Sequence, residues 1–139
     1  MRAFTLALPV LVAGLSFAHA AGTPSAGEIN VCMKAAATAD HVKLDDVDKD
    51  ACVCATKQLR LTLRPDDYDL HEKMLIVIGS GADQKSFDKQ MSDVMLKRGM
   101  KQPDVDAFLA RSKKAENAAR AKCNTAPLLN PTPLLDTPH

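Results

Sequence analysis

The four cysteines, Cys32, Cys52, Cys54 and Cys123, constrain the fold of this chain more than any other feature of its sequence. An even number of cysteines in an exported protein predicts disulfide bonds. A bond between Cys52 and Cys54 would close a very tight ring, so we expect one of them to bond Cys32 and the other Cys123. The alternative is a thiolate metal site, which the absence of the Cys-x-x-Cys spacing of tetrahedral zinc disfavours.

The first residues have the pattern of a secretory signal peptide. Arg2 is followed by an apolar run, residues 3–18, and then by Ala18-His19-Ala20, with small residues where a signal peptidase reads the chain. We therefore predict that residues 1–20 are cleaved and that the mature protein is periplasmic or secreted. The apolar run is shorter than the roughly 20 residues that cross a bilayer, and no later run is longer, so no membrane span is expected.

The composition excludes one large class of partners. With 18 Lys and Arg against 17 Asp and Glu, the net charge is +1, and aromatic residues make up 4% of the chain. A nucleic-acid-binding surface needs an excess of positive charge or a platform of aromatic side chains on which bases stack. We therefore expect no nucleic-acid partner.

Apolar residues at helical spacing predict an all-α fold, with about five short helices in a small disulfide-stapled bundle occupying residues 21–123. The first helix is predicted over 26–39, after a capping box formed by Ser25 and Glu28. The other predicted boundaries are Asp48 or Asp50 at the start of the second helix, Pro65 and Gly79-Ser80-Gly81 around the third, Gly99 after the fourth, and Pro103 and Cys123 at the ends of the fifth. The side chains expected to face the core are Ile29, Cys32, Met33 and Ala36; Cys52, Thr56, Leu59 and Leu63; Tyr68, Met74, Leu75 and Ile78; Phe87, Met91, Val94 and Met95; and Val105, Phe108, Leu109, Ser112, Ala119 and Cys123.

Residues 124–139 form a proline-rich tail. Proline at this density does not allow a helix and favours extended or disordered structure. The tail is expected to be disordered; the alternative is a docking strip anchored by Leu128-Leu129 and Leu134-Leu135.

The mature chain offers three histidines as conventional catalytic bases, His41, His71 and His139. None of them lies in a nucleophile-elbow, Cys-His or His-Glu-x-x-His pattern, and no glycine-rich phosphate loop is present. We therefore expect each histidine to be a solvated surface group, no organic cofactor, and no enzymatic activity.

Two acidic segments are the strongest candidates for chemistry. The first acidic segment consists of Asp45, Asp46, Asp48 and Asp50, and the second of Asp66, Asp67, Asp69 and Glu72. Carboxylate oxygens suit hard cations such as Ca²⁺ or a trivalent lanthanide. The first segment is not an EF-hand, because Ala51 stands where the turn glycine belongs and Lys57 stands where the closing glutamate belongs. The alternative for both segments is structural, since aspartate caps helices and complements the positive end of their dipole.

The export signal, the small helical body stapled by four cysteines and the LDDVDKD stretch of residues 44–50 together resemble the small periplasmic metal-binding proteins of alphaproteobacteria, including the lanthanide-binding proteins of methylotroph uptake clusters. This resemblance implies a carrier or buffer for a lanthanide or Ca²⁺ ion. Because four aspartates leave coordination positions of such an ion open, we also expect a weak metal-dependent homodimer. The alternative is a metal-free interaction module that uses the proline-rich tail or the basic last helix, whose cations are Arg111, Lys113, Lys114, Arg120 and Lys122.

Overall fold

The computed structural model describes residues 22–124, which form five α-helices and one short 3-10 helix. The helices are α1, Ala26–Asp40; the 3-10 helix Leu44–Asp46; α2, Lys49–Thr62; α3, Pro65–Gly79; α4, Gln84–Lys97; and α5, Gln102–Cys123. No strand occurs between residues 22 and 124, so the all-α prediction is confirmed. The predicted signal peptide and, beyond Asn124, the predicted tail lie outside the described residues. Of the helices described, none has the length and apolar character needed to cross a membrane.

The helices begin where local capping chemistry predicts. The Ser25 hydroxyl accepts the Glu28 N–H at 3.2 Å and the Glu28 carboxylate accepts the Ser25 N–H at 2.8 Å, which confirms the capping box. Asp48, rather than Asp50, caps α2 by accepting the N–H groups of Asp50 and Ala51. Pro65 occupies the start of α3, where its missing N–H costs nothing.

Two disulfides hold α2 between α1 and α5. Cys32 bonds Cys52 with a Cα–Cα distance of 5.8 Å, and Cys54 bonds Cys123 with a Cα–Cα distance of 5.7 Å. The prediction that Cys52 and Cys54 have different partners is confirmed, and the structure decides which partner each one takes. No cysteine of residues 22–124 is left as a free thiol that zinc would need.

The disulfides and the ion pairs fix the directions of the first two helices. Cys52 near the start of α2 bonds Cys32 in the middle of α1, and Arg60 near the end of α2 lies 3.4 Å from Glu28 at the start of α1. The two helices are therefore antiparallel. Cys54 in the first half of α2 bonds the last residue of α5, whereas Leu59 and Leu63 at the end of α2 pack with Ala115 and Ala119, which come earlier in α5. α5 is therefore antiparallel to α2.

α3 packs closely along α1 in the same direction. Near the start of α3, the Tyr68 hydroxyl donates to Glu28 at 2.8 Å. At the end of α3, Gly79 lies against Lys34 and Ala35 of α1. A Cβ at Gly79 would lie 3.0 Å from the Cβ of Lys34, so glycine permits the helices to approach here. Of the two glycines in the predicted boundary Gly79-Ser80-Gly81, Gly81 has the left-handed backbone that follows many helices, with φ of 73°.

Two separate apolar clusters form the core. The methionine cluster joins α3, α4 and α5, and its buried members are Leu70, Met74, Val77, Met91 and Phe108. The alanine cluster joins α2 and α5, and its buried members are Leu59, Leu63, Ala115 and Ala119. Most of the side chains predicted to face inward are buried or half-buried in these clusters or beside them.

Candidate functional site

The four carboxylates of the first acidic segment are exposed and are not brought together. Asp45 and Asp46 lie in the 3-10 helix, and Asp48 is occupied as the cap of α2. The side chains of Asp45, Asp46 and Asp50 take part in no hydrogen bond or ion pair with the described part of the chain. Across residues 22–124, no three His, Cys, Asp or Glu side chains are grouped so that they would hold a metal ion.

Asp67 of the second acidic segment is buried between two arginines. The Nε atoms of Arg64 and Arg111 donate to Asp67 Oδ2 at 3.0 and 2.8 Å, and a terminal nitrogen of each guanidinium donates to Oδ1. The hydrogen bond from Arg111, followed by that from Arg64, lowers the pKa of Asp67 to about 2 against the opposing effect of burial. Asp67 therefore stays ionised at all ordinary pH values and ties the start of α3 to α5.

The other three acids of this segment have separate environments. Asp69 accepts two hydrogen bonds from Lys73 at 3.0 Å and one short hydrogen bond from Arg98; the bonds from Lys73, followed by those from Arg98, lower its pKa. Burial, together with the negative charge of Glu28, raises the pKa of the half-buried Glu72. The carboxylate of Asp66 is exposed and has no described partner.

A cleft of about 590 Å³ lies where the start of α3 meets the first half of α5. We call it the arginine cleft, because three guanidinium groups line it. Its full lining is Arg64, Asp66, Asp67, Leu70, Arg98, Met100, Asp104, Ala107 and Arg111. The cleft thus combines cationic, anionic and apolar walls within one concave surface.

The hydrogen bonds around the cleft leave donors available to a ligand. Arg64 and Arg111 each use Nε and one terminal nitrogen on Asp67, so the second terminal nitrogen of each has no described bond. The carboxylate of Asp104 is engaged by the N–H of Lys101 at 2.9 Å. Arg64 also provides no side-chain cap to α3, so the positive end of that helix dipole opens beside the cleft.

Next to the cleft, a buried polar cluster joins α3 to α5. His71 and Ser112 are each 1% exposed and Glu116 is 8% exposed, with His71 Nε2 at 3.3 Å from Glu116 Oε1. Burial lowers the pKa of His71 to about 4, so its imidazole is neutral at pH 7. We call His71 and Glu116 the buried pair.

The prediction that His71 is a solvated surface group is therefore wrong. The missed signal is its spacing: His71 lies at helical intervals from Tyr68, Leu75 and Ile78, on the face already predicted to point inward. His41, by contrast, is exposed at the end of α1, as predicted. His139 lies outside the described residues.

Within residues 22–124, the basic face of α5 has four unpaired cations, one fewer than the five that the sequence offers. Arg111 forms an ion pair with Asp67 and is therefore not available to a partner. The remaining cations, Lys113, Lys114, Arg120 and Lys122, are exposed and have no ion pair within residues 22–124.

No protein-family model matches this chain, and neither the curated proteins nor the solved structures provide a match. Its function is therefore argued from its own residues.

Proposed function

We propose that this protein is an exported, non-catalytic binding protein that holds a small dipolar molecule, bearing both a carboxylate and a cationic group, in the arginine cleft. The observation that carries the proposal is the convergence of three guanidinium groups on one concave surface. Guanidinium groups bind carboxylates through paired, charge-assisted hydrogen bonds. Two of the three retain a terminal nitrogen without a described partner.

The acidic and apolar walls define the rest of the ligand. The exposed carboxylate of Asp66 is available to a cationic group, since Asp67 and Asp104 are already engaged. Leu70, Met100 and Ala107 provide the apolar contact typical of ligand sites. An amino acid with an apolar side chain has all three of these features. The described lining contains no serine, cysteine or histidine to serve as nucleophile or base, which supports binding without catalysis.

The two disulfides support export. Both are formed between residues brought together by the native fold, and such bonds persist in oxidising compartments. Together with the signal pattern in residues 1–20, they support a periplasmic or secreted protein.

Titration with L-leucine, a dipolar probe with an apolar side chain, tests the proposal. We expect saturable amide shifts by NMR at residues that line the cleft, and weaker binding of acetate and butylamine, which each carry one of the two charges. Arg64→Gln should weaken binding of L-leucine about tenfold, the effect of removing one charged hydrogen bond, because Arg64 keeps a terminal nitrogen that is not bonded to Asp67. Arg120→Gln is the matched control, because Arg120 is an exposed arginine of α5 that does not line the cleft. Failure of L-leucine to saturate, or equal affinities of the two variants, would contradict the proposal.

A second candidate function is binding of a hard cation, Ca²⁺ or a lanthanide, by Asp45, Asp46, Asp48 and Asp50. The observation that favours this segment over the second is that three of its four carboxylates have no described partner, whereas Asp67 and Asp69 are engaged by arginine and lysine. Because the four are not grouped in advance, the ion itself would have to gather them. Such a protein would act as a carrier or buffer.

Calorimetric titration with La³⁺ and Ca²⁺ tests this candidate. The double variant Asp45→Asn/Asp46→Asn should lose binding, and Asp66→Asn should retain it. Sedimentation with stoichiometric La³⁺ would show whether the ion also brings two copies together as a weak dimer. No saturable binding of either ion would remove the candidate. The interaction module that uses the tail or the basic face of α5 stays a prediction.

A further inference from the structure

The two disulfides differ in how far they are covered by the rest of the fold. Cys32 and Cys52 are buried, with exposed fractions of 3% and 4%. Cys54 and Cys123 are both only half-buried. We call Cys32–Cys52 the shielded bond and Cys54–Cys123 the accessible bond. Because a disulfide is reduced by direct attack of a thiolate on one of its sulfur atoms, the accessible bond is the easier of the two for a reductant to reach.

The position of Cys123 adds to this difference. It is the last residue of α5, and Asn124 after it is exposed. Helix ends open locally at much lower free energy than the middle of a packed helix. Cys32 lies in the middle of α1, where the first turns of α2 cover it. Small movements of a helix end therefore expose the accessible bond further, whereas exposing the shielded bond requires α1 to separate from α2.

The charges near the accessible bond favour the thiolate that forms when it opens. Within one helical turn of its two cysteines, the sequence has one carboxylate, that of Asp50, and three cations, Lys57, Arg120 and Lys122. All four of these side chains are exposed. Nearby positive charge stabilises a thiolate, and a more stable thiolate leaves a disulfide faster.

Opening the accessible bond acts on the last turns of α5. Up to Glu116, α5 is held on α3 by Asp67 with Arg111 and by the buried pair. Beyond Glu116, residues 117–123 are held on α2 by Ala119 of the alanine cluster and by the bond itself. One small side chain contributes little apolar area, so we expect residues 117–123 to detach when the bond is reduced.

The geometry of α2 favours correct re-formation of the bond. Cys52 and Cys54 lie two residues apart on one helix and therefore point about 200° apart. Their bonds accordingly run to different helices, α1 and α5. While α2 stays helical, the Cys54 thiol faces away from the shielded bond, so Cys123 is its favoured partner on oxidation.

We propose that the accessible bond is a reversible site of thiol–disulfide exchange, at which an exported dithiol reductant of the Cys-x-x-Cys class opens Cys54–Cys123 and releases residues 117–123 from α2. One thiolate of the reductant attacks a sulfur of the bond, the S–S bond breaks, and a mixed disulfide forms while the other cysteine leaves as a thiolate. The second thiol of the reductant then displaces the first cysteine. Two electrons and two protons pass to Cys54 and Cys123, and the reductant becomes a disulfide. The site shares no residue with the arginine cleft, so it does not depend on the proposed function.

Partial reduction of the native mature protein with limiting dithiothreitol tests the difference between the two bonds. Thiols are alkylated at intervals and identified by peptide mass spectrometry. The cysteines of the accessible bond should be labelled about tenfold faster or more, since tenfold corresponds to only about 1.4 kcal/mol in the free energy of opening. The shielded bond of the same molecules is the matched control. Equal rates, or faster labelling of the shielded bond, would overturn the exchange site.

Thioredoxin with its second active-site cysteine replaced by serine tests the class of partner, because it cannot resolve a mixed disulfide. It should be trapped on Cys54 or Cys123 of the native protein. Trapping on Cys32 or Cys52, or no trapped product, would contradict the proposed partner. Reoxidation of the partly reduced protein should restore Cys54–Cys123, and bonds from Cys54 to either cysteine of the shielded bond would show that the site is not reversible.

Hydrogen exchange tests the release of α5. In Cys54→Ser/Cys123→Ser, exchange should rise about tenfold or more in residues 117–123 relative to the oxidised wild type and change little in the middle of α1. If this variant does not fold, the selectively reduced and alkylated wild type is measured instead. Full protection of residues 117–123, or loss of protection in all five helices together, would overturn the release.

Discussion

The alanine cluster and the methionine cluster hold two halves of this molecule together by different means. In the alanine cluster, small side chains of α5 pack on Leu59 of α2 and on Leu63, which follows α2, and a disulfide joins the same two helices. In the methionine cluster, Phe108, Met74 and their neighbours bury large side chains with no covalent bond among the three helices. Stabilisation grows with the apolar area buried, so alanines contribute little per residue and the cross-link compensates.

The comparison shows that the molecule has a rigid half and an adaptable half. The rigid half is α1, α2 and the end of α5, in which both disulfides lie. The adaptable half is α4, the start of α5 and the face of α3 that packs on them, and it carries the arginine cleft. The opposite face of α3 packs along α1 of the rigid half.

The largest expected effect tests the rigid half. Cys54→Ser/Cys123→Ser should lower the free energy of unfolding by about 4 kcal/mol, since the bond spans a sequence separation of 69. Cys32→Ser/Cys52→Ser, with a separation of 20, should cost about 3 kcal/mol. Urea unfolding measures both. If removing Cys54–Cys123 left the free energy of unfolding unchanged, the disulfide would not compensate for the small side chains of the alanine cluster.

A core substitution tests the adaptable half. Met74 is 3% exposed in the methionine cluster, so Met74→Ala should lower the free energy of unfolding by about 3 kcal/mol through lost contacts and a cavity. Leu96→Ala is the control, because Leu96 is 67% exposed and its truncation should cost less than about 0.5 kcal/mol. Urea unfolding of the oxidised variants gives both values, and equal losses would show that this cluster does not carry the stability of its half.

The pH dependence of the free energy of unfolding tests the contribution of His71, which lies buried on α3. Burial depresses the pKa of His71 in the folded state, so the unfolded chain binds the extra proton more readily and stability falls as the pH drops from about 6.5 toward 4. The loss should reach about 2 kcal/mol at pH 5. Urea unfolding at pH 7 and pH 5 measures it. The loss should be absent in His71→Gln and unchanged in His41→Asn; equal losses in the two variants would assign it to other groups.

A smaller effect distinguishes capping from cation binding in the first acidic segment. Asp48→Ala should cost about 1 kcal/mol, because Asp48 accepts two N–H groups at the start of α2. Asp46→Ala should be nearly neutral, since the Asp46 carboxylate has no described partner. Thermal unfolding without metal ions compares the two. A cost at Asp46 as large as that at Asp48 would give the segment a structural role that its contacts do not provide.

The smallest effect concerns the tail, which follows α5 at the rigid end of the molecule. Removal of residues 125–139 should leave the midpoint of thermal unfolding nearly unchanged, because a proline-rich segment is poorly suited to helix packing. A fall of many degrees would show that the tail belongs to the core of the rigid half.

Local chemistry in the sequence was sufficient to predict the five α-helices and most of their boundaries. The capping box of Ser25 and Glu28, the cap at Asp48 and the proline that begins α3 involve residues within four positions of one another. Helical spacing likewise identified most core side chains and therefore the all-α class. Such features depend on neighbours along the chain, which any sequence displays directly.

Only the tertiary structure decided which distant groups meet. The choice of Cys32 for Cys52, the ion pair of Asp67 with Arg111 across 44 residues, and the burial of His71 against Glu116 all depend on how helices pack. Aspartates that look alike in the sequence consequently differ, with Asp46 exposed and Asp67 enclosed by two arginines. The physical reason is that a helix face selects its partner through the shape and charge of the whole surface opposite it, and that surface is assembled from residues far apart in the chain.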